Sequence, residues 1–448
     1  MEEVPVKRPA RILSICAALL CVAARPAGSA GGPQESHGAP SGLDAIYPDL
    51  DALYRDLHAH PELSLREEKT SSKLAERLRR LGFEVTEKVG GFGVVGILRN
   101  GPGSTVMVRS DMDALPIEEK TGVPYASRER SRNEEGGIEP VMHACGHDVH
   151  MTCWMGTAAL LAGSRDLWRG TLMMVAQPAE ETGSGAAKML DAGLFEKWKK
   201  PDYALALHSS SELAAGTVGY TPGFALANVN SVDVTIFGRG GHGAYPHRTV
   251  DPIVIAAKTV LALQTLVSRE KNPLDPAVVT VGSIHGGTKH NIIPDEVRLE
   301  ITLRSYDEKV RKKLLSGIER VAKGEAAAAG APKEPEVKIS EGTPATYNDP
   351  ELTRREALAL RRVLGEKNVR EMPPAMGAED FSVYGRAGVP ALIFWLGTVE
   401  PARHAAAAAS DEQLPSLHSS RFSPDEERTL RTGVTALTAA VLEVLGKP

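Results

Sequence analysis

The 448-residue sequence has few aromatic residues and no excess of basic ones. Aromatic side chains make up 5% of the chain, and the formal net charge at pH 7 is -5. Proteins that hold nucleic acid commonly use a positively charged surface, aromatic side chains that stack on the bases, or both. Because this chain offers little of either, we expect no nucleic-acid partner.

The apolar run near the beginning of the chain, at 12–23, is too short to be a permanent membrane anchor. Three basic residues precede it, and Ala27-Gly-Ser-Ala30 follows it. A basic start, an apolar centre and small residues are typical of a secretory signal that is cleaved. The sequence therefore predicts a signal peptide over 1–30, export through the secretory pathway to the periplasm or the extracellular space, and no stable membrane span after cleavage.

Cysteine is scarce, with four residues in the chain. The bulky Leu20 before Cys21 does not fit a lipoprotein cleavage site. Removal of the signal would leave Cys145 and Cys153, which are too few for a disulfide scaffold. A single disulfide between these two is the structural alternative, but it would consume a thiolate that a metal site could use. We favour the metal interpretation.

The chain has enough apolar residues for more than one core. Hydrophobic content of 42% with 24% charged residues is typical of a globular protein, and the length predicts two or three domains. After a Gly/Pro/Ser-rich linker over 31–42, strands alternate with helices over 43–227, which indicates an α/β layer with a mostly parallel sheet. The element order then changes, so we predict a smaller inserted α+β domain over 228–342. The remainder, 343–448, completes the first domain.

Two helices are predicted from apolar residues at helical spacing. One amphipathic helix is expected over 54–81, where the pattern stops at Gly82, and another over 307–329 in the inserted domain.

The segment His143-Ala-Cys-Gly-His-Asp148 places a thiol, imidazoles and a carboxylate around a glycine. A thiolate can be shared between two cations, and neutral imidazole is the commonest nitrogen ligand for metals. Gly146 lets the backbone turn so that Cys145 and His147 can face one centre. The segment predicts a metal site, with a buried loop cysteine as the alternative.

Further donor groups follow predicted strands or lie in loops. Glu180 and Glu181 follow one apolar strand, His208 follows another, and His418 lies in a C-terminal loop. Adjacent carboxylates in a partly buried place would repel each other, and a cation removes that repulsion. One can then hold metal while the other takes the proton of an attacking water. The alternative is a pair of solvated glutamates at a helix N-terminus.

Four more residues are candidates for supporting roles. Asp111 ends a predicted buried strand, where it can orient a metal-bound histidine through the second ring nitrogen; an Asx turn or a helix cap is the alternative. In the inserted domain, the glycine-flanked His242 can reach a ligand. Asn291 and Arg304 offer an amide and a guanidinium, which suit a substrate carboxylate. For Arg304 a surface salt bridge is an equal alternative.

Seven motifs carry a resemblance over nearly all of the predicted mature chain. They are His58-Ala-His-Pro-Glu-Leu-Ser64, Asp111-Met-Asp-Ala-Leu-Pro-Ile117, Met142-His-Ala-Cys-Gly-His-Asp148, Gln177-Pro-Ala-Glu-Glu181, Gly240-Gly-His-Gly-Ala-Tyr-Pro-His247, Asn291-Ile-Ile-Pro-Asp295 and Glu379-Asp-Phe-Ser382. Together they resemble the amidohydrolase branch of the dinuclear metallopeptidases. That branch contains hippurate hydrolases, N-acyl-amino-acid amidohydrolases and indole-acetyl-amino-acid hydrolases.

The resemblance implies a catalytic α/β domain with an inserted lid that usually dimerises. It also implies two divalent metal ions per subunit. The mixed sulfur, nitrogen and oxygen donors predict manganese or zinc, with cobalt as a further candidate. Cys145 would bridge the two ions. His147 and His208 would hold one ion, and Glu181 and His418 the other.

The same resemblance assigns catalytic roles. It makes Glu180 the general base and gives Asp111 the position that orients a ligand. We expect His242 to donate a hydrogen bond to the oxyanion formed during attack, across a dimer. The chain departs from the family after His418, where Ser419-Ser-Arg-Phe422 stands in place of a small residue and a proline. We expect this departure to change loop geometry and not chemistry.

We therefore predict an exported homodimeric enzyme that cleaves the amide bond between a small or aromatic acyl group and an amino acid. Its partner would be a small molecule, either an N-acyl amino acid or a short peptide. The alternatives are a dipeptidase or carboxypeptidase of the same family, and a metal- or ligand-binding homologue that has lost turnover. The presence of all five ligand candidates together with Glu180 argues against the inactive homologue.

Overall fold

The computed structural model of the protein describes residues 42–132, 136–410 and 412–446. The predicted signal peptide over 1–30, and the linker apart from its last residue, lie outside the described residues. The α-helices are α1 Leu43–Ala59, α2 Glu68–Arg80, α3 His147–Gly163, α4 Gly185–Asp191, α5 Leu194–Lys197, α6 Pro252–Thr265, α7 Glu308–Ala328, α8 Pro350–Leu364, α9 Ser382–Arg386, α10 Pro401–Ser410 and α11 Glu426–Leu445.

The strands fall into one large sheet, one sheet of four strands and three short ribbons. They are β1 Glu84–Val89, β2 Gly93–Asn100, β3 Thr105–Asp111, β4 Arg130–Arg132, β5 Ile138–Pro140, β6 Gly170–Gln177, β7 Tyr203–Ala214, β8 Val218–Tyr220, β9 Gly223–Leu226, β10 Asn228–Phe237, β11 Gly241–His242, β12 Ala277–His285, β13 Ile292–Ile293, β14 Glu296–Ser305, β15 Glu336–Glu341, β16 Thr346–Asn348, β17 Val369–Glu371 and β18 Ala391–Val399.

The large sheet has eight strands in the order β1-β2-β6-β3-β7-β18-β8-β17. Its four central strands, β6, β3, β7 and β18, run parallel to one another. Every residue of β3 is buried, as expected for a central strand that is covered on both faces. Asp111 at the end of β3 pairs with Gln177 at the end of β6, so these two strands end at the same edge of the sheet.

Helix α3 is buried on nearly all sides and packs against α1, α11 and β3. A helix that is apolar all round is typical of the centre of a domain. The indole Nε1 of Trp154 donates a hydrogen bond of 2.9 Å to the carbonyl oxygen of Val108 in β3. This contact joins the middle of α3 to the middle of β3, so the helix lies against a central strand of the sheet.

A second sheet, in the order β12-β14-β10-β15, is antiparallel throughout. Helices α6 and α7 cover it and share a separate hydrophobic core with it. Side chains of β10 and β14 alternate between buried and more exposed positions, as one covered face requires. The α/β fold with a mostly parallel sheet and a smaller α+β element is thereby confirmed, whereas the domain boundaries stay a prediction.

One predicted helix is wrong in its extent. The helix expected over 54–81 is two helices, because α1 ends at Ala59 and α2 begins at Glu68. Pro61 explains the break, since proline disfavours helical backbone in the residue before it and clashes with the preceding turn. The residue before it, His60, has left helical backbone, with φ at -130°.

Among the described residues, one helical stretch, Pro252–Glu270, is long and apolar enough to cross a membrane by length and composition, with a mean hydropathy of 1.3. Ile255, Ala256 and Leu263 on this stretch are buried in the core of the four-stranded sheet. Leu261 on the opposite side is 72% exposed. The stretch therefore has one packed face and one uncovered apolar face.

Candidate metal centre

The five predicted metal ligands meet at the edge where the central strands end, although they come from four separate parts of the chain. The donor atoms of Cys145, His147 and His208 lie within 4.8 Å of one another, and so do those of Cys145, Glu181 and His418. Cys145 belongs to both groups. This is the arrangement that a thiolate shared between two cations requires.

The distances leave room for cations between the donors. Cys145 Sγ lies 3.6 Å from His208 Nε2 and 3.3 Å from His418 Nε2. Glu181 Oε1 lies 3.5 Å from His418 Nε2 and 3.8 Å from His147 Nε2. Within the described part of the chain, His147 Nε2 and Glu181 Oε1 are buried without a hydrogen-bond partner. An unpaired buried polar atom costs free energy, and a bound cation would supply the missing partner of both atoms. The donor set therefore fits a metal site.

The histidine tautomers also fit metal binding. His147 Nδ1 lies 2.7 Å from the carbonyl oxygen of Asp113, so Nδ1 carries the proton and donates it. His208 Nδ1 donates in the same way to the carbonyl oxygen of Ser209 at 2.8 Å. In both rings the Nε2 lone pair is left facing the donor group, as in metal-binding histidines whose second nitrogen is hydrogen-bonded.

Backbone conformations that are uncommon for side-chain-bearing residues flank these donors. Ala179, just before the glutamate pair, has φ +54°, and His418 has φ +63°. Gly146 has φ +79°, and a Cβ there would lie 2.7 Å from Ser209 Oγ. Glycine is therefore required at 146 by both conformation and space, and strain of this kind often accompanies functional sites.

The orienting contact predicted for Asp111 is made by Asp113. Besides accepting through its carbonyl, Asp113 places its carboxylate Oδ1 3.3 Å from His147 Nδ1. Asp111 Oδ2 lies 3.8 Å from the other ring nitrogen, Nε2, and its Oδ1 lies 2.7 Å from His150 Nδ1. The chain leaves β3 after Asp111 and only then passes the Nδ1 side of His147, which is why the later aspartate makes the contact.

The neighbouring glutamates have different surroundings. Burial raises the pKa of Glu181 to about 7, against the opposing charge of His147. Burial raises the pKa of Glu180 well above its ordinary value, and the carboxylates of Glu379 and Asp380 raise it further. Glu181 thus faces the thiol and imidazole donors, whereas Glu180 faces two more carboxylates.

A buried ionic network behind Glu180 was not predicted. Arg109 is fully buried in β3 and donates hydrogen bonds to Asp111 at 2.6 Å, Glu379 at 2.8 Å and Asp380 at 2.9 Å. A buried guanidinium is tolerated only when it is paired in this way. An arginine inside an otherwise apolar strand, directly before Ser110 and Asp111, is the signal in the sequence that could have identified the network.

The alternative disulfide is not formed, since Cys145 and Cys153 are both free. Cys153 Sγ points away from the donor group and lies 3.8 Å from the carbonyl oxygen of Leu430 in α11. Burial raises the pKa of the Cys145 thiol well above its usual range, and the charge of Glu181 adds to this while His147 opposes it.

Four of the five donors, Cys145, Glu181, His208 and His418, line a cavity with a volume of about 950 Å³. Arg304 of β14 lines the same cavity, is partly buried, and makes no ion pair with any described residue. Burial lowers the pKa of Arg304, as expected for a cation without a counter-charge. The lining of the cavity also includes apolar side chains, among them Met372, Met376 and Trp395, and the Trp395 ring lies 5.7 Å from that of His208.

His242 and Asn291 are not part of this cavity lining. They lie together on the exposed ribbon formed by β11 and β13, where His242 pairs with Ile292 and Gly243 N donates to Asn291 O at 2.9 Å. The N–H of Ala244 donates to His242 Nδ1 at 3.0 Å, so the proton of this neutral ring is on Nε2. The Nε2–H group of His242 makes no hydrogen bond within the described residues.

Comparison with known proteins gives a consistent result. The profile of peptidase family M20/M25/M40 matches residues 107–443. Thermostable carboxypeptidase 2 of Saccharolobus solfataricus is 38% identical over 392 residues, which cover 86% of this chain and 92% of that protein. Hippurate hydrolase of Campylobacter jejuni is 36% identical over 331 residues, covering 73% of this chain and 82% of that protein.

Among solved structures, a Bacillus subtilis protein described as a dinuclear metal-binding peptidase of the M20 family superposes with a TM-score of 0.72 at 29% identity. The match covers 90% of this chain and 100% of that one. Fold, donor set and relatives together define a dinuclear metal-dependent hydrolase that acts on C–N amide bonds, so the predicted enzyme class is confirmed. The chain belongs to peptidase family M20/M25/M40, which confirms the resemblance drawn from the seven motifs.

Proposed function

We propose that this enzyme hydrolyses N-acyl amino acids to a carboxylic acid and a free amino acid. The observation that carries the proposal is the unpaired guanidinium of Arg304 in the same cavity as the metal donors. A guanidinium without a counter-charge suits the α-carboxylate that remains free when an amino acid is acylated on nitrogen. Relatives named N-acetyl-L-cysteine deacetylase and hippurate hydrolase support this substrate class.

We propose manganese or zinc as the native metal, with cobalt as a substitute, because the donors mix sulfur, nitrogen and oxygen. His147 and His208 would hold one ion, Glu181 and His418 the other, and Cys145 both. Such ions, when bound, polarise an amide carbonyl and make water more acidic.

Glu180 is the proposed general base. It is buried, lines the cavity, and its Oε2 lies 3.9 Å from His147 Nε2, so it stands beside the metal donors without being committed to them. Its carboxylate takes a proton from the attacking water and returns it to the nitrogen of the leaving amine.

We further propose that the enzyme is a homodimer in which the β11–β13 ribbon reaches the cavity of the partner subunit. The Nε2–H of His242 would then donate to the oxyanion, and Asn291 would lie beside the substrate. Two features of the α6 and β12 surface support its contact with a second copy of the chain. Leu261 is 72% exposed on the outer face of α6, and β12 is an unpaired edge of its sheet.

Export through the secretory pathway remains a proposal that rests on residues 1–30 alone. Expression of the full chain in a secreting host, followed by mass determination of the exported protein, tests it. We expect the mature N-terminus close to residue 31, whereas retention of residues 1–30 in the exported protein would contradict cleavage.

The substrate proposal is tested by hydrolysis assays on manganese- or zinc-loaded enzyme. N-acetyl and N-benzoyl amino acids are compared with the same compounds as methyl esters and with dipeptides. We expect the free-carboxylate forms to be cleaved with the highest kcat/KM, and Arg304→Ala to remove that preference while Arg304→Lys keeps part of it.

A carboxypeptidase or dipeptidase is the second candidate, because relatives 38% identical to this chain are named thermostable carboxypeptidases. Higher kcat/KM for dipeptides than for every N-acyl amino acid would favour it. Absence of amide hydrolysis with both substrate sets, in protein shown to contain metal, would contradict both candidates.

A further inference from the structure

A third buried histidine lies between two of the proposed metal ligands. The ring centre of His150 is 5.3 Å from that of His147 and 4.7 Å from that of His208. His150 is 1% exposed and stands one helical turn after His147 on α3, so both rings project from the same face of the helix. Neither the ligand set nor the proton transfer described above uses it.

Both ring nitrogens of His150 are committed to protein partners. Its Nε2 lies 2.7 Å from the backbone N of Ser209 and 3.1 Å from Ser209 Oγ. Because a backbone N–H can only donate, Nε2 is the acceptor, and the proton of the ring is on Nδ1. That Nδ1 donates to Asp111 Oδ1 at 2.7 Å. The ring has no lone pair left for a cation, so the group formed by Asp111, His147 and His150 is not a third ion site.

The contacts of His150 continue to the ligand His208. Ser209 follows His208 in β7, and its carbonyl oxygen accepts from His208 Nδ1 at 2.8 Å. The Ser209 residue is thus held by His150 through its N–H and holds the His208 ring through its carbonyl. That ring then presents Nε2 to Cys145 Sγ at 3.6 Å.

On its other side, His150 contacts Asp111, which is itself held in place by a second partner. Asp111 uses one carboxylate oxygen for His150 and the other for Arg109, at 2.6 Å, and both partners are buried. His150 therefore ties together the end of β3, the first turns of α3 and the middle of β7. Two of these three elements carry donors of the group formed by Cys145, His147 and His208.

We propose that His150 is a positioning residue that presents His208 to the ion shared with Cys145 and His147. This inference rests on the ligand assignment in the proposed function and adds a residue that touches neither metal nor substrate. Residues that orient metal ligands typically contribute about 10- to 100-fold to metal affinity. A histidine that merely fills the core would affect stability without singling out one ion.

His143 is a matched control for the truncation of a buried histidine. It is 1% exposed, lies in the same motif two residues before Cys145, and neither of its ring nitrogens has a hydrogen-bond partner among the residues that the structure describes. Loss of this ring removes a buried imidazole of the same size as that of His150, but it breaks no side-chain hydrogen bond among the described residues.

The experiment is a titration of metal-free full-length mature protein with cobalt(II), followed by the absorption bands of the bound ion and by calorimetry. Wild type should take up two cobalt ions. His150→Ala should weaken one of the two binding steps by about 10- to 100-fold. His150→Gln, whose side-chain oxygen can still accept from the Ser209 N–H, should recover part of that affinity. His143→Ala should bind both ions as wild type does.

Three results would overturn the inference. The first is wild-type affinity for both ions in folded His150→Ala. The second is an equal loss of cobalt affinity in His143→Ala, which would show that packing alone is involved. If His150→Ala does not fold, wild-type binding by His150→Gln would be the contrary result. Uptake of fewer than two ions by wild type would instead contradict the ligand assignment, and this inference would fall with it.

Discussion

Cys145 Sγ lies 3.3 Å from Nε2 of His418, although 273 positions separate them in the chain. The contact joins two distant parts of the donor group, because Cys145 lies in the turn just before α3 and His418 lies in the loop before the last helix. The N–H of His418 also donates to the carbonyl oxygen of Ala144 at 2.8 Å, which seats this loop on the turn that carries the thiol. Binding of both proposed ions therefore depends on Cys145.

Replacement of Cys145 by alanine should remove nearly all metal and nearly all activity, because the shared ligand is lost from both groups. Metal content by plasma emission spectroscopy and hydrolysis of an N-acyl amino acid are the measurements. Cys153→Ala is the control, since it is also free and buried but faces α11. Two ions and normal turnover in Cys145→Ala would refute the shared role.

Glu180→Gln should keep both ions and lower kcat by about 10²- to 10⁴-fold, because the amide cannot accept the proton of water. Glu181→Gln should instead lose metal, since it removes a ligand oxygen of the group with Cys145 and His418. Metal content and kcat measured on both variants separate the roles. Loss of metal from Glu180→Gln, with metal kept and kcat lowered in Glu181→Gln, would show that Glu181 is the base and Glu180 the ligand.

His242→Ala should leave metal content unchanged and lower kcat by about two to three orders of magnitude, the usual effect of losing one oxyanion donor. His247→Ala, an exposed histidine nearby on the same segment, is the control. Mixing His242→Ala with Glu180→Gln protein should restore activity, because one hybrid site would hold both native groups. Unchanged kcat in His242→Ala would refute the catalytic role, and a fall without rescue would refute sharing between subunits.

Glu356 on α8 should make stability depend on pH far from the metal centre. It is fully buried with no hydrogen-bond partner on either oxygen, and burial, with the charge of Glu443, raises its pKa to about 9. A raised carboxyl pKa means that the folded state holds the proton more tightly than the unfolded state. The contribution of protonated Glu356 to the free energy of unfolding is therefore fully present below about pH 4.5 and is lost as the pH rises towards 9.

Glu356→Gln should remove this dependence, which amounts to up to about 1.4 kcal/mol per pH unit within that window. Urea unfolding of metal-free protein at several pH values is the measurement. Glu351→Gln, exposed at the start of the same helix, serves as the control. An unchanged pH slope in Glu356→Gln would show that this carboxyl does not stay protonated in the folded protein.

The sequence predicted best those features that depend on local chemistry. The helix expected over 307–329 is found at Glu308–Ala328, because Asp307 accepts from the N–H groups of Lys309 and Val310 and marks its start. Cys145 and His147 were proposed as metal donors from the chemistry of one short motif, Glu181 and His208 from their places after predicted strands, and His418 from a C-terminal loop; metal binding by the set stays a prediction. The resemblance to a family added their division between two ions.

Features that depend on where the chain turns were harder to predict. Asp111 and Asp113 are two residues apart, and only the path of the chain after β3 shows that Asp113 reaches His147 Nδ1. The network of Arg109 with Glu379 joins residues 270 positions apart, and no local pattern relates them. Whether the ribbon of His242 completes a site depends on a second chain, which neither helix nor strand periodicity encodes.

Anomalous diffraction from crystals of manganese- or zinc-loaded enzyme shows the number and the ligands of the bound ions. We predict two metal peaks per subunit, one bounded by Cys145, His147 and His208 and the other by Cys145, Glu181 and His418, with the thiolate bonded to both. A single peak, or a peak bound to His150 in place of His208, would contradict it.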